Sequence, residues 1–206
     1  PKSFKMSLFM PPISPMKDGA TGKTVKSATL TPLRTLELNE VTNSSQQQTA
    51  DHLTQAIREA ALQGDDNNCR MLKQQTLPYV TPAAYSPDDG ATAKATLRTG
   101  GGGVDHLDSP DEAGRLKQLL FKDPYLAPVL VFISPTGRGV RLLYPALSEK
   151  TAGGGALGHE LRPLHDDAEN TQPGKGVDTS GKDLVRACFL CHDPKALLRK
   201  VVNFEL

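Results

Sequence analysis

Residues 128–146 read PVLVFISPTGRGVRLLYPA. PVLVFIS (128–134) is an almost unbroken apolar run of strand length, and VRLLYPA (140–146) is a second. PTGRG between them carries a proline and two glycines, which is the composition of a tight turn. The stretch predicts an antiparallel hairpin with both strands largely buried.

Upstream, SPDEAGRLKQLLF (109–121) predicts a helix. Ser109 is its N-cap, Pro110 its first helical residue and Glu112 the reciprocal member of a capping box. Leu116, Leu119 and Leu120 supply its apolar face. VDHLD (104–108) just before it reads as the end of a strand. The four glycines at 100–103 argue against a strand there, because a glycine run has no side chains to pack and is entropically costly to order. Downstream, DLVRACFL (183–190) reads as a last buried strand, with a helix expected around 157–170. The order from 98 to 194 is then β-α-β-β-α-β, an α+β ferredoxin-like, RRM-like core. TADHLTQAIREAALQG (49–64) adds a helix with Leu53, Ala56, Ile57, Ala60 and Ala61 on one face and Gly64 as its stop. Residues 1–48, rich in Pro, Ser, Thr and Gln, read as an irregular N-terminal arm with one short strand around Thr29–Leu38. The division is therefore 1–48 and 49–206.

Composition narrows the function classes. The 206 residues carry a formal charge of +1, so a nucleic-acid surface would be a local patch. Three cysteines make no disulfide framework and suggest a reducing compartment. The opening residues show no signal-peptide pattern, and no stretch reaches the roughly 20 apolar residues of a membrane span. The expectation is a cytoplasmic protein without a membrane partner. GATGKT (19–24) lacks the phosphate-loop glycine, because Lys17 holds that position.

Three clusters offer chemistry. Asp105 and Asp108 follow a strand end, where carboxylates commonly hold magnesium or manganese for phosphate chemistry, although turn and capping acids would look the same. Ser134, Arg138 and Arg141 flank the glycines of the hairpin and would suit phosphate oxygens. Cys188-Phe-Leu-Cys191-His192 has the spacing of a c-type haem attachment. In an extended segment, however, thiols three residues apart point to opposite faces, and no haem is expected.

FKDPYLAPVLVFISPTGRGVRLL and VDTSGKDLVRACFLCHDP, with weaker likeness at KQQTLPYVTPAAY and VDHLD, resemble the VirE amino-terminal-like domain family of bacterial mobile-element proteins. That family is similar to the archaeo-eukaryotic primase and primase-polymerase superfamily. The hairpin resembles the family's Ser-Pro-Ser-Gly-x-Gly-Leu-Lys. The second stretch resembles its Asp-x-Ser-x-x-Asp-x-x-Arg-x-Cys-Phe-x-Ser-x-Asp-Pro ending, with Cys191 where a serine is usual. The resemblance spans about the last two thirds of the chain.

It implies metal-dependent nucleotidyl transfer on single-stranded DNA in a mobile-element or plasmid replication protein. Asp105 and Asp183 would be the catalytic acids, and Asp105, Asp108 and Asp183 the ligands of Mg or Mn. Ser134, Arg138, Arg141 and Arg186 would contact the nucleoside triphosphate or the template. A helicase domain, in cis or in trans, is an expected partner. One departure stands out: the first acid of the family's Asp-x-Asp falls on Gly103. A degenerate, non-catalytic nucleotide or nucleic-acid binding module is the alternative.

Overall fold

The structure is a computed structural model that describes residues 5–13, 19–23, 32–46, 51–81, 99–124, 126–145, 176–177 and 187–199. In chain order its elements begin with β1 (Lys5–Phe9), β2 (Arg34–Glu37), α1 (Leu38–Gln46), α2 (Asp51–Leu62), α3 (Asp66–Thr76) and β3 (Tyr79–Thr81). They continue with β4 (Thr99–Asp105), α4 (Pro110–Lys122), β5 (Leu130–Ile133), β6 (Val140–Pro145), β7 (Gly176–Val177), β8 (Cys188–Phe189) and β9 (Leu197–Leu198). The fold is α+β, with two antiparallel sheets.

The hairpin forms where the sequence places it. Ile133 lies opposite Val140 and Leu130 opposite Leu143. Pro135 opens the turn and Gly137 takes φ +77°, a left-handed conformation that a side chain would resist. The Ser134 N–H donates to the Gly139 carbonyl at 2.8 Å, and the Gly137 N–H to the Ser134 carbonyl at 2.9 Å.

The larger sheet has the order β7-β4-β6-β5-β9. Its first four strands follow the 4-1-3-2 arrangement of a split βαβ sheet, with β4 as the first strand and β9 added at the far edge. The fourth strand is Gly176–Val177, which pairs with Val104 and Asp105. The sequence places that strand at 183–190. Instead Cys188 and Phe189 pair with Val80 and Tyr79 in the smaller sheet, of order β2-β1-β3-β8. The helix expected around 157–170 lies outside the described residues.

The glycine run corrects a second expectation. Gly100–Gly103 are strand, paired residue for residue with Tyr144–Arg141 of β6. The neighbouring strand supplies the hydrogen bonds that glycine's poor propensity could not predict.

Alternation on β5 and β6 divides the core. Val104, Val131, Val140 and Leu142 pack under α4 through Ala113 and Leu120. Leu130, Phe132 and Leu143 face the other way, onto Met6, Leu36, Val41, Ile57, Leu77 and Val80. The first 48 residues are thus no arm where they are described, since β1, β2 and α1 build one wall of the main core. β2 does fall within the strand expected at 29–38.

α4 begins as its sequence dictates. Ser109 Oγ accepts from the Glu112 N–H at 3.2 Å, and Glu112 Oε2 accepts from the Asp108 N–H at 2.7 Å. Its buried stripe is Ala113, Lys117 and Leu120, while Leu119 is exposed. A lysine therefore sits where the spacing favours an apolar residue. α2 buries Ile57, Ala60 and Ala61 as expected and is stopped at Gly64, at φ +74°. Among the described residues no helix is long and apolar enough to cross a membrane.

Candidate functional site

The larger sheet brings together residues far apart in sequence at the C-terminal end of β4. Gly103 pairs directly with Arg141, so the two share a face of the sheet, and Asp105 follows on that face two residues later. Arg141 extends along it and donates from Nη2 to Asp105 Oδ2 at 2.7 Å. Both side chains keep about a quarter of their surface exposed, 24% and 27%.

Gly103 makes that reach sterically open. A Cβ there would lie 2.7 Å from the Val140 carbonyl oxygen and 2.9 Å from Arg141 Cδ. Arg141 Nη1 would be closer still and could swing away, but the contact with the Val140 carbonyl is with backbone and cannot be relieved by rotating a side chain.

The other carboxylate oxygen faces the hairpin. A Cβ on Gly139 would meet the Val104 carbonyl at 2.6 Å, Asp105 Oδ1 at 2.7 Å and Ser134 Oγ at 2.9 Å. The missing side chain at 139 lets the turn close against the end of β4. Ser134 is itself buried, with its hydroxyl 3.2 Å from Thr136 Oγ1. Directly after Asp105, His106 adopts φ +60°, a conformation uncommon for a residue with a side chain. The Leu107 N–H then donates to the Arg138 carbonyl at 3.0 Å, and Arg138 Nε donates to the Leu107 carbonyl at 2.9 Å. Arg138 thus fastens the hairpin tip to the segment that leaves β4.

Cys188 borders the pair from the smaller sheet. Burial pushes its thiol up to about 11; Arg141 opposes the shift and Asp105 adds to it. The cysteine therefore stays neutral near physiological pH and adds no charge to the centre.

The sequence-expected residues thus divide. Asp105 meets Arg141 over Gly103, and its other oxygen lies with Ser134 Oγ beside Gly139. Arg138 is tied to Leu107. Asp108 precedes the cap of α4, its N–H held by Glu112. Asp183 and Arg186 lie outside the described residues. Among the described residues, no group of three His, Cys, Asp or Glu side chains is placed to hold a metal ion. By themselves these residues do not fit a divalent metal: β4 offers one carboxylate, and an arginine already neutralises it.

A second set, whose role the sequence did not show, holds the hairpin in place. Ile133, the last residue of β5, extends beyond the strand's pairing with β9, which engages Leu130 and Val131. Its exposed edge is closed by side chains instead. Asp193 Oδ2 accepts from the Ile133 N–H at 2.8 Å, and Cys191 Sγ donates to the Ile133 carbonyl at 3.1 Å. Asp193 also pairs with Lys117 of α4 at 2.9 Å, with both side chains only 6% exposed. Burial pushes the Cys191 thiol up to about 12. The His192 N–H donates to Thr54 Oγ1 at 2.9 Å, and its carbonyl accepts from Arg58. The CHDP string thus clasps β5 to α2 and α4. The Asp-Pro at its end was the available signal.

The model of the family described as BT4734-like, N-terminal domain matches residues 71–198, from within α3 to the end of β9. The chain belongs to that family. It is the VirE N-terminal-like family that the hairpin and CFLCHDP stretches resemble. No curated protein and no solved structure matches the chain. Within this BT4734-like domain, the matched region contains both the Asp105–Arg141 pair and the Lys117–Asp193 clasp.

Proposed function

We propose that this BT4734-like domain is a primase-polymerase-like module of a mobile-element or plasmid replication protein. In this reading it binds the phosphates of a nucleoside triphosphate or of single-stranded DNA without carrying a complete transfer site of its own. One observation carries the reading: Asp105 and Arg141 meet at 2.7 Å, partly exposed, across a glycine that stands where the resemblance expects a first acid. Arginine binds phosphate bidentately, and the Asp105 carboxylate of the pair also lies beside Gly139 of the glycine-rich turn. Such a module would work in the cytoplasm beside a helicase domain, in cis or in trans.

A second reading, nucleotidyl transfer with Mg or Mn, is favoured by the place of Asp105. It ends an interior strand, and the next residue, His106, takes a positive φ of 60°. This reading requires Asp183, together with Asp105 and Asp108, to complete a ligand set.

The test is incorporation of labelled nucleotide on single-stranded DNA with Mg or Mn, beside anisotropy binding of ATP and of a labelled dT oligonucleotide. Binding without incorporation is the expected result. Incorporation abolished by both Asp105→Ala and Asp183→Ala would replace the first reading with the second. A chain that neither binds nor incorporates would overturn both.

A further inference from the structure

Arg141 is placed as a cation would be. It lies over Gly103 and touches one oxygen of Asp105, while the other oxygen faces Gly139 of the hairpin turn. The guanidinium and the carboxylate cancel, and the Cys188 thiol beside them contributes no charge. A divalent ion entering here would have to displace Arg141 and would meet a single carboxylate from β4. An anion faces the opposite situation. It can take the place of Asp105 on the guanidinium, an exchange of one charge-assisted contact for another.

We propose that Arg141 is the resident cation of this centre and that Asp105 is its internal counter-ion, so that phosphate oxygens bind by displacing Asp105 from Arg141 without a divalent metal. The proposal rests on the binding reading above and deepens it. Gly103 is then not a lost catalytic acid. It is the position that must lack a side chain for Arg141 to cross the strand.

The two assignments of Asp105 give opposite signs. As a counter-ion it competes with the ligand, so neutralising it strengthens binding. As a metal ligand it recruits the ligand through the metal, so neutralising it weakens binding. The experiment measures anisotropy of labelled ATP and, separately, of labelled dT oligonucleotide, in EDTA and in Mg. The proteins are wild type, Asp105→Asn, Asp105→Ser and Arg141→Gln, each checked for cooperative melting. With at least one of the two probes, wild type should bind in EDTA and Mg should add nothing. Asp105→Asn and Asp105→Ser should both tighten binding, by about tenfold, the scale of one charge-assisted hydrogen bond. Arg141→Gln should lose about tenfold or more. The responding probe identifies the source of the phosphate. Wild-type binding that requires Mg, or that weakens in Asp105→Asn, overturns the proposal while leaving the binding reading standing. No binding of either probe by any protein overturns both.

Discussion

Removing the Asp193 carboxylate should be among the most damaging single changes in this domain. The Lys117 ammonium and the Asp193 carboxylate are both nearly excluded from water and lie 2.9 Å apart. Asp193 also accepts from the Ile133 N–H at 2.8 Å and the Lys195 N–H at 3.0 Å, while Lys117 Nζ donates a second bond to the Lys195 carbonyl at 2.8 Å. Asp193→Ala leaves the ammonium with one carbonyl acceptor and strips two backbone donors of their partner. Breaking a buried pair from one side costs about 3–5 kcal/mol, against a total stability of about 5–15 kcal/mol for an ordinary domain. Lys117→Met is milder, because the carboxylate keeps its two backbone donors and the methionine retains most of the stem's volume; a loss of about 1–3 kcal/mol is expected. The decisive protein is the double variant. With the carboxylate gone, Lys117→Met removes an uncompensated buried charge and should restore stability, so one substitution changes sign with its background. Urea unfolding followed by circular dichroism measures all four proteins. An Asp193→Ala protein within about 1 kcal/mol of wild type would refute the reasoning. So would a double variant less stable than Asp193→Ala alone.

Three glycines supply a second test with two signs. Gly103→Ala and Gly139→Ala place a Cβ against backbone carbonyls at 2.7 Å and 2.6 Å, and each should cost about 1–3 kcal/mol in the same assay. Gly114, inside α4 with nothing within 4 Å of where a methyl group would stand, should instead gain about 0.5–1 kcal/mol as alanine. The cysteines supply a third. Folding raises Cys188 to about 11 and Cys191 to about 12 from an ordinary 9.0. Their contribution to stability is therefore intact below pH 9 and is lost as pH climbs toward 11 and 12. Cys191→Ser should flatten that alkaline decline, and an unchanged slope would contradict the burial effect. At pH 8 the folded Cys188 should hold less thiolate than a free thiol and alkylate more slowly, until urea unfolds the chain.

Local chemistry in the sequence was enough for several elements. An apolar run, a Pro-Thr-Gly turn and a second apolar run can form little but the β5–β6 hairpin. Ser109, Pro110 and Glu112 set the start of α4: Ser109 satisfies an orphan N–H of the first turn, Pro110 has none to lose, and Glu112 reaches back to hold the Asp108 N–H before the cap. Gly64 ended α2 for the same kind of reason. The two specific motifs also placed the chain in its family and drew attention to Asp105, Arg141 and Ser134; the fold sets Asp105 against Arg141 over Gly103 and beside Ser134 at Gly139.

Other features depend on partners far along the chain. Gly100–Gly103 carry no strand preference and become strand only because β6 lies beside them. Lys117 reads as a polar interruption of an apolar stripe until Asp193, seventy-six residues later, arrives to neutralise it. Cys188 and Phe189 have the composition of a strand, but which sheet they join depends on where β3 lies. The same holds at the candidate site. Sequence named an acid and an arginine for separate roles, one for metal and one for phosphate, and tertiary structure paired them. Charge complementarity acts through space, and only the register of β4 against β6 puts Gly103 opposite Arg141 and so leaves the path to Asp105 open.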